Sequence, residues 1–194
     1  MERKNVERYL NSFGKQVVAQ AKANLTQEKG DTALGGSIRF GITKEFTVQF
    51  FMDSYGKFLD KGVSGTDQQR DFTNQDGQKE KSPFKYTSKQ PPTGILELWI
   101  KKKGMKGRKA LRKHRKKDKN GNIIKETIKG AGQFITHKSF AFAIAKTIKR
   151  KGIKGLSFFQ KPMGFAMKNF DALYGQALKQ DIEEAWNKVA EKFN

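Results

Sequence analysis

The sequence has no cysteine, two histidines, four prolines and 19 acidic residues in 194. Without a thiol there is no disulfide scaffold, Cys-ligated zinc, iron–sulfur cluster or thiol nucleophile. His114 sits in a run of lysine and arginine that would repel a cation, so no metal site is expected. The longest apolar run, Phe140–Ala145, falls far short of the roughly 20 residues a spanning helix needs. No membrane partner is therefore expected. The N-terminal Met1-Glu2-Arg3-Lys4-Asn5 is charged with no apolar stretch behind it, so no signal peptide is expected either.

Groupings that carry chemistry are also missing. The chain has no GxxxxGK[ST] loop, no GxGxxG after a strand, no GxSxG and no HExxH. Its carboxylates are scattered among lysines, and only Glu183-Glu184 adjoin, so a nuclease-type cation site has little support. Asp60, beside Lys61, reads as a structural carboxylate capping a glycine turn rather than a lone catalytic acid. His137 opens a predicted helix with no accompanying nucleophile signature and reads as a capping or surface residue. We expect no enzyme and no cofactor.

What the chain does have is positive charge and phenylalanine. Lys and Arg number 40, giving a net charge of +21, and 16 Phe, 4 Tyr and 2 Trp are enough for a packed core. Half of the excess charge is in one place. Lys101, Lys102, Lys103, Lys106, Arg108, Lys109, Arg112, Lys113, Arg115, Lys116 and Lys117 fall within 17 residues that hold no acid; without them the net charge would be +10. Such a run is either a solvated loop or a surface for phosphates or an acidic protein. Phosphate contact would make duplex DNA binding fall with salt by a log–log slope of about 0.9 per phosphate. No aromatic residue interrupts the run, so single-strand stacking is not expected.

Periodicity organises the rest. Val6, Leu10, Phe13, Val17, Ala21 and Leu25 recur at three- and four-residue steps and predict an amphipathic helix over 2–25. Ile38, Phe40 and Ile42, then Phe46, Val48, Phe50 and Met52, alternate on either side of Thr43-Lys44-Glu45 and predict an antiparallel hairpin. Residues 66–90 are polar and read as a loop. Ile95, Leu96, Trp99 and Ile100 fit a short helix ending near Gly104, with Trp99 on its core face. Asp118–Asn122 is a turn signal that makes about 110–129 a basic β-hairpin arm. Residues 138–150 predict a core helix through Phe140, Ile144 and Ile148, and 164–192 a terminal helix with net charge −1. GxxG recurs at 62–65, 104–107 and 152–155; turns and helix C-caps explain these glycines better than a KH-type clamp.

Three blocks in order resemble a known family. Tyr55-x-x-Phe58-Leu59-Asp60-x-Gly62-x-Ser64-Gly65 is similar to a segment of tailed-phage tail-completion (head–tail joining, minor tail) proteins. Pro91-Pro92-x-x-Ile95-x-x-x-Trp99-Ile100-x-x-Lys103-Gly104 resembles the next block. Phe140 through Ile148 to Gly152-Ile153, followed by Phe158-Phe159-x-x-Pro162, resembles the last. The resemblance spans about residues 5–190.

The resemblance implies an α+β fold: an antiparallel sheet packed against two or three helices in one domain over 1–194. Here it would carry insertions at about 66–90 and 105–136, the latter the basic β-hairpin arm, which the family pattern does not predict. It also implies a ring (hexamer or dodecamer) in the virion neck, assembled in the host cytoplasm, between the head connector and the tail-tube proteins, with possible DNA contact. Phe158, Phe159 and Met163 would then be either apolar anchors for a neighbour or ordinary loop-to-core packing. The alternative readings are a standalone basic nucleic-acid-binding protein and, with less support, a small nuclease.

Overall fold

A computed structural model describes residues 3–105, 112–117, 119–120, 123–128 and 136–191, with 112–117 and 123–128 described by their backbone. The protein is of the α+β class: seven helices and three two-stranded antiparallel ribbons among the described residues. These fall into two compact units. One is Met1–Ser64 with Gln69–Lys85 and Ile153–Asn194; the other is Gly65–Gln68 with Tyr86–Gly152.

The first unit is built on α1 (Lys4–Lys29), whose buried residues include Val6, Leu10, Phe13, Val17, Ala21 and Leu25, the stripe that the sequence spacing marks out. Gly30 ends the helix with φ 72, and its N–H bonds the Thr26 carbonyl at 2.7 Å. After the short α2 (Ala33–Ser37), β1 (Arg39–Ile42) and β2 (Val48–Phe51) pair antiparallel with Phe40 opposite Phe50. The ribbon packs on α1. Gly14 permits this mid-helix because a Cβ there would collide with the Phe40 ring; close approach outweighs the ~1 kcal/mol a helical glycine costs.

Two apolar clusters line α1. Ala21 and Leu25 pack with Leu34, Ile38 and Phe158 at its C-terminal half, and Val6 and Leu10 with Ala177 at its N-terminal half. Phe13 joins them, meeting Phe170 edge-on at 4.9 Å and Phe50 at 6.2 Å.

The segment 66–90 is not merely a loop. After α3 (Gly56–Lys61), β3 (Asp71–Thr73) and β4 (Lys79–Lys81) form a hairpin in the first unit, closed by Asn74, whose Oδ1 accepts the Gln78 N–H at 2.8 Å. Its one buried ring, Phe72, is too little alternation for the sequence to show. The Thr73 N–H bonds Ser157 Oγ at 2.7 Å, which ties the hairpin down.

The terminal helix is in fact two, α6 (Gln160–Met167) and α7 (Phe170–Ala190), divided at Lys168-Asn169, where the Asn169 backbone leaves helical geometry.

In the second unit α4 (Thr93–Lys102) packs against α5 (His137–Lys151). The buried residues are Ile100, Ala141 and Ala145. Small alanines one turn apart admit the facing helix, so Phe140, expected in the core, lies on the exposed side. Thr136 caps α5 by accepting the Ser139 N–H. Its C-terminal carbonyls at Lys149 and Arg150 accept the Thr66 and Asp67 N–H groups at 2.9 and 3.0 Å. β5 (Arg112–Lys117) and β6 (Ile123–Ile128) pair in antiparallel register from Arg112–Ile128 to Lys117–Ile123.

Candidate interaction surfaces

The first and last blocks meet inside the first unit. Val63 and Ile153 exchange two backbone hydrogen bonds (2.9 and 2.7 Å), and Gly62, with φ 73 at the end of α3, faces Gly155 so closely that a Cβ would lie 2.6 Å from its nitrogen. Asp60 is buried, and its Oδ1 accepts the Phe159 N–H at 2.8 Å, where α6 begins. Burial raises its pKa, opposed by hydrogen bonds from Phe159 and Gln160 and by the Lys61 charge. It is thus structural, but it caps another helix rather than its own glycine turn. The reach of 99 residues is what the sequence could not show.

Phe158 is buried against Ala21, Leu25, Leu34 and Ile38, Phe159 and Met163 are half-buried, and Pro162 is buried in the first turn of α6. For Phe158 the core-packing reading therefore holds. Tyr55 and Phe58 are exposed; Phe58 meets Phe84 edge-on at 4.7 Å, and Lys57 Nζ lies over both rings. Gly65 belongs to the second unit, where a Cβ would collide with the Arg150 carbonyl and come within 2.6 Å of the Gly152 nitrogen. Gly152 itself ends α5 with φ 74. Beside it Arg150 Nε donates to Asp67 Oδ2 at 2.7 Å, and that bond, with one from Thr66, holds the Asp67 carboxyl below its ordinary pKa.

The middle block lies in the second unit. Pro91 is half-buried, Pro92 is the N-cap residue of α4, and Gly104, φ 64, follows the helix. Ile100 is buried, but Trp99 is 44% exposed and so is not core. α4 is apolar on more than one side, and it uses the Leu96–Ile100 side inward. Ile95 and Leu98, each 67% exposed, join Trp99 on the outside.

The basic segment begins on this helix. Lys101 and Lys102 form its last turn, with Lys101 Nζ 3.0 Å from Glu97, and Lys103 is the C-cap. Lys106, Arg108 and Lys109 lie outside the described residues. Arg112, Lys113, Arg115, Lys116 and Lys117 occupy five of the six positions of β5, and on β6 only Glu126, opposite His114, is acidic. His137 Nε2 bonds the Met105 carbonyl at 2.8 Å and so anchors the chain just after α4. A carbonyl can only accept, so that nitrogen carries the proton.

The far end of α7 was not foreseen from the sequence. Asp181, buried, accepts the backbone N–H groups of Asn5 (2.8 Å) and Val6 (3.0 Å), and Asn5 Nδ2 donates to Glu184 at 2.8 Å. From Trp186 to Ala190 every residue of α7 is exposed. Ile182 (51%), Trp186 (73%) and Val189 (50%) lie at i, i+4 and i+7, one unbroken apolar face. Which residues of this helix no described residue covers is a matter of packing that spacing alone does not show.

Among the described residues no group of three His, Asp or Glu could hold a metal ion, and no helix is long and apolar enough to cross a membrane. No protein family, curated protein or solved structure matches the chain.

Proposed function

We propose that this protein is a structural subunit that works in multiple copies, as a ring in the neck or tail-completion region of a tailed-phage virion, and that it catalyses no reaction. The observation that carries the assembly reading is the uncovered apolar face Ile182–Trp186–Val189 at the end of α7, with Trp186 73% exposed. Large contiguous apolar patches on soluble proteins mark interaction sites. The virion neck is supported by the resemblance of the blocks around Asp60, Trp99 and Phe158, and by the linkage of the first and third through Asp60 and Phe159. The finer architecture belongs to the same reading: a β1–β2 ribbon on helices as the ring body, and the β5–β6 ribbon as an arm reaching connector, tail-tube protein or DNA.

Light scattering and electron microscopy of the purified protein should show closed oligomers, and the chain should be found in particles. A chain that stays monomeric at all concentrations and is absent from virions refutes the proposal.

The second reading, nucleic-acid binding, draws on the β5 register, where lysine or arginine fills five of six positions of a two-stranded ribbon. A ribbon of that kind fits the DNA major groove. Tight, salt-sensitive DNA binding by a monomer would favour it over the ring.

A further inference from the structure

The β5–β6 ribbon has two unlike faces. In an antiparallel ladder cross-strand partners share a face, and successive residues alternate between faces. The register therefore places Lys113, Arg115 and Lys117 on one face with Thr127, Lys125 and Ile123. The other face takes Arg112, His114 and Lys116 with Ile128, Glu126 and Ile124. The first face thus holds four cations and no acid, whereas the second holds two cations, the one carboxylate of the two strands and two isoleucines. On the first, Arg115 stands directly opposite Lys125, and like charges so placed destabilise a ladder. Glu126, one position along, falls opposite His114 on the other face and cannot relieve that pair. A face that keeps an uncompensated like-charge pair is stabilised by an anion from outside.

We propose that the Lys113–Arg115–Lys117–Lys125 face of this ribbon binds duplex DNA in the major groove. This rests on reading the ribbon as an arm for nucleic acid and names the face and the form of the nucleic acid. The major groove of B-DNA, about 12 Å wide, admits a two-stranded ribbon, whereas that of A-form RNA is too deep and narrow for side chains to read. Each strand has six residues. At about 3.4 Å per residue the ribbon is roughly 20 Å long, and that length of duplex carries about a dozen phosphates. No Phe, Tyr or Trp stands at any paired position, so the ribbon offers no platform for stacked single-stranded bases.

The test compares two double variants of the full chain that remove the same residue types from the same strand. Lys113→Gln with Arg115→Gln alters the proposed face, and Arg112→Gln with Lys116→Gln the other; thermal melting confirms unchanged folds. In filter binding of a short DNA duplex over a salt series, the first variant should lower the log–log slope by roughly 0.9 for each cation removed. The second should leave the slope near the wild-type value. The single variants Lys125→Gln and Lys116→Gln repeat the comparison if a double variant melts early. The matching RNA duplex and the single DNA strand should both bind more weakly than the DNA duplex. Equal losses from the two faces, or RNA duplex or single strand bound as tightly as duplex DNA, overturn the face or the groove while the nucleic-acid reading stands. If the wild type binds no DNA, or polyglutamate at equal charge displaces the DNA, both fall.

Discussion

Asp181 and Val6 are joined across 175 positions of the chain: the Asp181 carboxylate accepts the Val6 backbone N–H at 3.0 Å, beside a second bond from Asn5. A residue in the middle of α7 thereby caps the first turn of α1, whose own N-cap residue, Arg3, makes no side-chain cap bond. Caps contribute about 0.5–2 kcal/mol, and this one is buried. Asp181→Ala should cost about 2 kcal/mol, read as a lower urea midpoint, and Asp181→Asn less. An unchanged midpoint for the alanine variant would refute the capping role.

The two buried aspartates should respond to acid in opposite senses. For Asp181 burial pushes the pKa up, but the bonds from Val6 and Asn5 with the Arg3 charge prevail, and the net value is lowered. Its stabilisation is intact above the unfolded carboxylate value of about 3.9 and disappears as pH falls through the lower folded value. Asp60 is raised by burial. Its effect is most favourable below about 3.9 and is lost as pH rises through the higher folded value. Urea midpoints across the acid range should therefore fall less steeply for Asp181→Asn than for the wild type, and more steeply for Asp60→Asn.

Glycines divide by what surrounds them. At Gly164 a Cβ would collide with the Gln75 carbonyl oxygen, whereas Gly94, at the start of α4, has nothing within 4 Å. Gly164→Ala should destabilise by about 1–3 kcal/mol. Gly94→Ala should stabilise by about 0.4–1 kcal/mol through the unfolded chain. Thermal unfolding of both variants checks the contrast.

The chain's two tryptophans, Trp99 and Trp186, both stand on uncovered faces. Intrinsic fluorescence is therefore expected to report assembly directly. Emission should shift to the red, and acrylamide quenching should rise, as the protein is diluted below its association range. Trp186→Phe should retain the shift from Trp99 alone. Emission independent of concentration, in a protein whose mass changes, would place the interface elsewhere.

If the basic segment meets phosphate, replacing Lys102 and Lys103 by Gln should lower the salt slope of DNA binding by roughly 0.9 for each phosphate no longer neutralised. Lys101→Gln should matter less, because Glu97 already holds Lys101 at 3.0 Å. Filter binding over a salt series measures both.

Much of the fold was legible where burial follows a single period. The α1 stripe from Val6 to Leu25 and the Phe40–Phe50 hairpin need only local spacing. The limits are equally physical. Trp99 was misplaced because a ten-residue helix with apolar residues on several sides can turn any of them inward, and Ala141 and Ala145 decide which. Phe140 went wrong for the same reason: at a close helix crossing small residues sit inside and large ones out. The capping roles of Asp60 and Asp181 were hidden, since their partners are 99 and 175 residues away. The uncovered end of α7 depends on where α1 begins, which is a matter of packing rather than of period.

The Val63–Ile153 pairing bears on how such a chain could be remodelled. The backbone leaves the first unit for the last time after Lys85 and returns at Ile153, and both crossing points lie by the same short stretch, since Lys85 bridges Ser64 and Ile153 bridges Val63. The doorway is thus latched by main-chain hydrogen bonds that do not depend on side-chain identity. Any side chain but proline can therefore stand at Val63, Ser64, Lys85 or Ile153 with the main-chain donors and acceptors still in place.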